Sequence, residues 1–480
     1  MKAAVVLLAV ALSTCSRPPG TLEEVLETGQ LTVITRNSPT TYYRGSRGYE
    51  GPEYDLVAAF STHLSNKYDR DIEVSYLMAD QLPEIFAALE DNRAHLAAAG
   101  LTVTPERLKR VDFGPAYRQV SQYLVYRLNS GKPENLQQLR GKRLEVLAGS
   151  SFAETLRSHS DEVPGLAWTE NPHASVGELL RAVQRQQLDY TVVDSNDYYV
   201  HRFYMPDLRK AFKLKEEDDL AWAFGKDRSS ELIAEVDEFM AAATSNGLLE
   251  RIRERYYGHT KRFDYVGART FKRDVKRRLP QYRVMFEAAA ENTQLDWRIL
   301  AAIGYQESHW NPDAVSPTGV RGLMMLTGNT ATGLGVDDRN DAEQSIAAGS
   351  QYFRNIYDRL ADVPHPDRTW FALAAYNVGF GHLQDARRLA RKRGLDPNRW
   401  VVIQQMLPLL AEREYYSTVP YGYARGWEPV RYVQNVRTYL EILTWLTLEE
   451  SRQPAPDTNT DIQAPGVQTA AVSGKPPQSS

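Results

Sequence analysis

The residues best placed to do chemistry lie between Ile303 and Asn435. The run Ile303-Gly-Tyr-Gln-Glu-Ser-His-Trp-Asn-Pro312 places Glu307 three, four and seven residues after Gly304, Ile303 and Leu300. That spacing puts Glu307 on the apolar face of a helix. A carboxyl group partly removed from water keeps its proton to higher pH, as a general acid working near neutrality requires. Asn311-Pro312 would stop the helix and leave the acid near its exposed end. A lone glutamate in a last helical turn ordinarily faces solvent, so the surrounding runs decide its meaning. They are Ser316-Pro-Thr-Gly319 with Arg321-Gly-Leu-Met-Met325, Ala374-Ala-Tyr-Asn377 with Gly379 and Gly381, and Glu428-Pro-Val-Arg-Tyr-Val-Gln-Asn435. The only other acid within these runs is Glu428, which has no obvious claim to a second catalytic role. There is no HExxH pattern, phosphate loop or dinucleotide fingerprint, and the nine histidines are scattered. Neither a metal nor a cofactor is expected, and His309, on another helix face from Glu307, should be exposed.

Residues 280–450 must hold this constellation, and their periodicity is helical throughout, so an all-α domain is expected there. Asp296, Asp341 (with Gln344 as a capping box) and Asp367 are expected N-caps. Upstream, residues 29–258 alternate short β-branched runs with amphipathic stretches. Leu31–Thr35, Glu73–Tyr76, Leu144–Leu147, Thr191–Val193 and Leu220–Phe224 read as strands, and the alternation argues an α/β domain with largely parallel sheets. Residues 259–279, with eight Lys and Arg side chains from Lys261 to Arg278, read as a basic connector. Such a run is ordinarily a solvated face; the alternative is attraction to anionic glycan or lipid headgroups. Residues 451–480 lack large apolar side chains almost entirely and should be disordered. The 480-residue length suits two to four domains. Lys+Arg 57 against Asp+Glu 61 gives net charge −4, which provides no global basic field for nucleic acid. One cysteine excludes an intrachain disulfide and Cys-based zinc or iron–sulfur sites.

Within the first domain, Gly100-Leu-Thr-Val-Thr-Pro-Glu-Arg-Leu-Lys-Arg-Val-Asp-Phe113 resembles the signature of periplasmic solute-binding proteins that take polar amino acids. The likeness extends through Gly51-Pro-Glu-Tyr-Asp-Leu56, Leu139-Arg-Gly-Lys142 and Ala148-Gly-Ser-Ser151. It implies two α/β lobes that close over a free amino acid or a cell-wall peptide. Thr102 and Arg107 would then hold a ligand carboxylate, Ser151 would add a contact from the second lobe, and Asp194 would receive an amino group. The plainer alternatives are a surface ion pair for Arg107 and a helix N-cap for Asp194.

In the second domain the four runs, in that order, resemble the lytic transglycosylases of the soluble-lytic, lysozyme-like family. The resemblance implies cleavage of peptidoglycan glycan strands with Glu307 as the single catalytic acid and base. It also implies substrate contacts from Ser308, Ser316, Tyr376, Asn377 and Tyr432, with Met324 as a groove wall. One position departs: the family's Gly-Leu-Met-Gln is Gly322-Leu-Met-Met325 here. Two other readings stay open, a receptor whose helical domain only binds glycan and a hydrolytic muramidase.

At the amino terminus, Lys2 followed by apolar Ala3–Leu12 reads as an export signal too short to span a bilayer. Leu12-Ser13-Thr14-Cys15 resembles a bacterial lipobox, with Thr14 departing from the usual small residue. The resemblance implies cleavage after residue 14 and lipidation of Cys15, with residues 15–28 as a linker. Ser16 after the cysteine points to the periplasmic face of the outer membrane.

Overall fold

A computed structural model of the chain describes residues 20–45, 48–258 and 265–452. The export signal, Cys15, part of the basic segment and the tail beyond Arg452 lie outside them. Most apolar runs of the first domain form one mixed sheet, while Glu145–Leu147 pairs in parallel with Thr169–Asn171 in a separate two-stranded sheet. The main strands of the mixed sheet are β1 (Gln30–Thr35), β2 (Glu73–Met78), β3 (Leu96–Thr102), β4 (Arg118–Arg127), β5 (Tyr190–Asp194) and β6 (Leu208–Phe224). They lie in the order β5-β4-β6-β3-β1-β2.

β1 pairs in parallel with β2 and β3, but β6 runs antiparallel to both β3 and β4, and β5 antiparallel to β4. The expected largely parallel sheet is therefore mixed: two of the five pairings among these strands are parallel and three antiparallel. The reason lies in the two long strands. β4 carries the chain out of the first lobe, and the 17-residue β6 brings it back. Leu208 pairs with Arg127 at one end of β6, and Leu220 pairs with both Arg118 and Thr102 at the other. Two strands shared between lobes make a hinge, and each lobe has its own core: Leu31, Val33, Phe60 and Trp222 in one, Leu124, Val146, Leu156 and Val192 in the other.

After α1 (Leu248–Tyr257) the chain is helical. The elements that matter for function are α2 (Tyr265–Arg277), α3 (Arg283–Thr293), α4 (Trp297–Ser308), α5 (Ala342–Asp358), α6 (Asp367–Val378), α7 (Phe380–Lys392) and α8 (Trp427–Arg452). Most of the segment expected to be a basic connector is α2, an integral part of the helical domain. Its Ala268 and Phe271 are buried in that core with Phe286, Leu300, Ile303 and Trp310, and its cations fall on the opposite face. Asp274, on the same helix, accepts from the Tyr305 hydroxyl at 3.0 Å.

Asp296 caps α4 through Arg298 N, and Asp341 caps α5 through Gln344 N. The capping box is only half formed there, because the Gln344 side chain accepts from Asp337 N at 3.0 Å. Asp367 is not a cap. It begins α6 and accepts from Trp400 N at 3.1 Å.

The core of the helical domain is arranged around α8, which packs on both α4 and α6. α8 also reaches the first domain. Arg437 Nη2 donates at 3.2 Å to the carbonyls of Glu254 and Arg255, the last turn of α1. Trp445 packs against Tyr43 and Tyr204. No helix among the described residues is long and apolar enough to cross a membrane.

Candidate active site

Glu307 is the penultimate residue of α4. The helix ends before Asn311-Pro312, because His309 and Trp310 both take left-handed backbone, with φ of 53° and 54°. Trp310 then folds back into the core and donates from Nε1 to Ala301 O at 2.8 Å, while His309 is exposed. The carboxylate is thus carried at the rim of the core.

Tyr432, on the second turn of α8 and 5% exposed, donates its hydroxyl to Glu307 Oε1 at 2.6 Å. Burial pushes the Glu307 carboxyl up to about 7, and the Tyr432 bond, which favours the charged form, opposes part of that rise. Burial, followed by the nearby Glu307, pushes the Tyr432 hydroxyl well above the usual tyrosine range. Tyr432 therefore remains a donor at every physiological pH. Tyr376 feels the same carboxylate, but its hydroxyl is committed to Met324 O at 2.9 Å. Its ring packs between Tyr352 and Phe353.

The loop between Val315 and Leu326 forms the neighbouring wall. Isolated bridges Val315–Arg321 and Arg321–Leu326 fold it back on itself. Gly322 makes that turn possible: its φ is +86°, and a Cβ there would lie 1.8 Å from Arg339 O. Ser308 is 8% exposed and its hydroxyl is fully engaged. Its one proton goes to Leu323 O at 2.8 Å, with Gly304 O as the alternative acceptor at 3.1 Å, and its oxygen accepts from Asn311 N at 3.2 Å. Its position suits holding the loop against α4; it is not free to meet a substrate.

Met324 corrects the sequence reading. Its side chain is fully buried, filling space beside Gly304 and Gly349, so it is core and not groove wall. Ser316 accepts from Thr318 N and Val320 N and so shapes the loop tip. Asn377, at the end of α6, is exposed. Ser345, which sequence reasoning passed over, is fully buried and its Oγ accepts from Met324 N at 3.1 Å. A buried serine on an otherwise amphipathic helix was the available signal. Glu428, the other acid of the four runs, is exposed and paired with Arg425 at 3.0 Å.

In the first domain, three of the four expected ligand residues meet each other. Arg107, 5% exposed, donates from Nη1 to Thr102 O at 2.8 Å and from Nη2 to Gly149 O at 3.3 Å. Ser151 Oγ donates to Thr102 Oγ1 at 3.3 Å. Gly149 and Ser151 belong to the opposite lobe, so these bonds close the cleft. Burial pulls Arg107 down to about 10, and its depth rules out a surface ion pair.

Asp194 precedes the helix Ser195–His201 but makes no capping bond. Instead Oδ1 is buried without a hydrogen-bond partner, and the residue lines a cavity of about 230 Å³ with Arg36, Glu53, Arg118 and Asp197. Burial, then the neighbouring Asp197 and Asp218, pushes Asp194 up to about 8. Glu53, a further residue missed in sequence reading, is buried there. It accepts from Gly100 N (3.0 Å), Trp222 Nε1 (2.9 Å) and the Tyr117 hydroxyl. Among the described residues no cluster of three or more His, Cys, Asp or Glu side chains is suited to a metal ion.

Two family profiles match the chain. The bacterial extracellular solute-binding proteins, family 3, match residues 31–259, and the transglycosylase SLT domain matches residues 284–397. A curated relative from Alkalilimnicola ehrlichii, "Membrane-bound lytic murein transglycosylase F 1", is 49% identical over 90% of this chain and 87% of its own length. "Membrane-bound lytic murein transglycosylase F" of Ectopseudomonas mendocina is 44% identical over 99% of this chain and 98% of its own. The chain belongs to the membrane-bound lytic murein transglycosylase F family.

As a member of that family it is a lytic transglycosylase with a two-lobed, solute-binding-protein-like module in front of a helical SLT domain. The SLT profile ends at residue 397 and so includes Glu307, Ser308 and Tyr376 but not Tyr432, which the long α8 supplies. Among solved structures, the P235GK mutant of ArgBP from T. maritima is similar at 19% identity and a TM-score of 0.45, covering 50% of this chain and 99% of its own.

Proposed function

We propose that the helical domain cleaves the β-1,4 bond between N-acetylmuramic acid and N-acetylglucosamine in peptidoglycan without consuming water. Glu307, protonated near neutrality, donates its proton to the glycosidic oxygen as the bond to C1 breaks. Glu428 is exposed and ion-paired, so the four motif runs offer no protein nucleophile. The substrate's own N-acetyl oxygen stabilises the cationic C1 instead. Glu307, now a carboxylate, takes the proton of the muramic 6-hydroxyl, which closes on C1 and leaves a 1,6-anhydro end. Tyr432 holds the carboxylate in place through both steps. The observation that carries this reading is a single enclosed carboxyl at about 7 with one hydrogen-bond donor upon it. On isolated sacculi, Glu307→Gln should lower release of soluble muropeptides at least about a hundredfold. Mass spectrometry of the wild-type products should show ends one water lighter than reducing ends. Reducing ends would make the enzyme a hydrolytic muramidase, and equal activity in the variant would remove Glu307 from the chemistry.

The first domain, residues 29–258, acts as a sensor of free amino acids or cell-wall peptides. Support comes from Asp194, a buried carboxyl with an unpartnered oxygen, which lines a cavity together with Arg36. A ligand ammonium there would lower the Asp194 pKa and expel its proton. Thr102, Arg107 and Ser151 would exchange their mutual bonds for a ligand carboxylate. Titration with amino acids and muropeptides should raise the thermal midpoint in wild type and fail to do so in Asp194→Asn. If no ligand moves the wild-type midpoint or its cleavage rate, the module is not a sensor.

The protein works on the periplasmic face of the outer membrane, tethered through an acylated Cys15. The lipobox-like Leu12–Cys15 run supports this placement. Incorporation of labelled palmitate should disappear in Cys15→Ala, and its persistence would show the anchor is elsewhere.

A further inference from the structure

The segment that connects α7 to α8 exposes an unusual amount of aromatic surface. Tyr421 is 60% exposed, Tyr423 55% and Trp427 50%. Large rings left in water together mark a contact surface when the backbone beneath them is held rigid. Tyr421 meets that condition. Its backbone N–H donates at 2.8 Å to Oδ2 of Asp385, a fully buried carboxylate on α7 whose Oδ1 accepts from Arg388 at 2.7 Å. Beneath the ring lies Gly381, where a Cβ would stand 2.5 Å from Tyr421 Cδ1. Only the absence of a side chain at 381 lets the ring approach α7 this closely.

The location is as informative as the rigidity. Gly379 and Gly381 follow directly on Tyr376 and Asn377 at the end of α6, beside the carboxylate of Glu307. Trp427 opens α8 five residues before Tyr432, a rise of about 7.5 Å along the helix axis. Tyr421, lying on Gly381 in the first turn of α7, is thus held close in sequence to the Tyr376 end of α6, and Trp427 opens the helix that carries Tyr432. The cations beside these rings are already neutralised, Arg388 by Asp385 and Arg425 by Glu428. The surface offers flat apolar faces with little net charge. That suits the C–H face of a neutral sugar ring better than a charged stem peptide.

We infer that Tyr421, flanked by Trp427, is a stacking platform for a pyranose ring of the glycan strand, outside the pair of sugars between which the bond is cut. This rests on the peptidoglycan reading above and adds a substrate-binding residue to it. The test measures binding of the Glu307→Gln protein to peptide-free glycan strands, so its outcome does not depend on the chemistry. Adding Tyr421→Ala should weaken binding about tenfold. Adding Gly381→Ala, which displaces the ring and keeps the tyrosine, should weaken it similarly. Tyr421→Phe should bind as the parent does. Thermal midpoints of the Tyr421 variants should match the parent, since the ring lies outside the core and the N–H to Asp385 is retained. In the active protein, Tyr421→Ala should raise KM and leave kcat nearly unchanged. Equal affinity in Tyr421→Ala, a loss confined to peptide-bearing strands, or equal losses in Tyr421→Phe and Tyr421→Ala would each overturn the inference. A wild-type enzyme that yields no anhydro ends would instead sink the lyase reading.

Discussion

At the scale of single residues, the chemistry depends on how Glu307 and Tyr432 share one proton-poor contact. Burial raises the carboxyl to about 7 and the tyrosine hydroxyl restrains that rise by stabilising the charged form. A general acid must be protonated to start, so kcat/KM should fall as pH rises through about 7. Removing the hydroxyl in Tyr432→Phe removes the restraint, so the descending limb should move to higher pH. The rate at pH 6 should also drop by about tenfold, because the carboxylate that must later accept the 6-hydroxyl proton loses its orienting partner. A pH–rate profile of both proteins on sacculi checks this. A limb that stays in place, or moves to lower pH, would mean the hydrogen bond does not tune the acid.

At the scale of elements, the sequence disclosed what periodicity and motif spacing can encode and concealed what depends on distant partners. Glu307 on the apolar face of α4 was readable, since the three residues that bury its neighbourhood precede it at helical intervals. So were the Asp296 and Asp341 caps, which act within three residues. The mixed sheet was not readable. β3 is an alanine-rich run, Leu96–Thr102, without β-branched residues until its last position, and it becomes a strand because β1 and β6 flank it. The direction of β6 is set by its pairing with β4 about eighty to a hundred residues earlier, which no local pattern reports. α2 reads as a connector because cations dominate its composition, whereas Ala268 and Phe271 decide its packing. The motif around Met324 points to a role at the surface, yet the space beside Gly304 and Gly349 draws it inward. The motif points Ser308 to substrate in the same way, and the Leu323 carbonyl of its own domain holds it.

At the scale of the molecule, α8 gathers the separate functions onto one rod: Tyr432 at the acid, Arg437 capping the last turn of α1, and Trp445 among the tyrosines of the first domain. Between these points Glu441 is half-buried and pushed up to about 7, first by desolvation and then by Glu50 from the first domain. Arg437 and Arg298, together with a bond from Trp445 Nε1, pull the other way. Tyr43, whose hydroxyl burial and Glu441 raise well above the usual range, faces it from the same strand pair as Glu50, with Arg255 and Tyr256 of α1 alongside. An acid whose folded-state pKa lies above its unfolded value binds more proton when folded. Its contribution to stability is therefore complete below about pH 4.3 and is lost as pH rises toward about 7. Glu441→Gln cannot ionise, so its thermal midpoint should equal wild type near pH 4.5 and exceed it by a few degrees above pH 7, where the difference levels off. Because Glu50 faces Glu441 across the contact between the modules, the same substitution should increase hydrogen-exchange protection of α1 at pH 8 and leave it unchanged at pH 5. A midpoint gap that is constant with pH would show that Glu441 is charged in both states, and that the modules meet without regard to its proton.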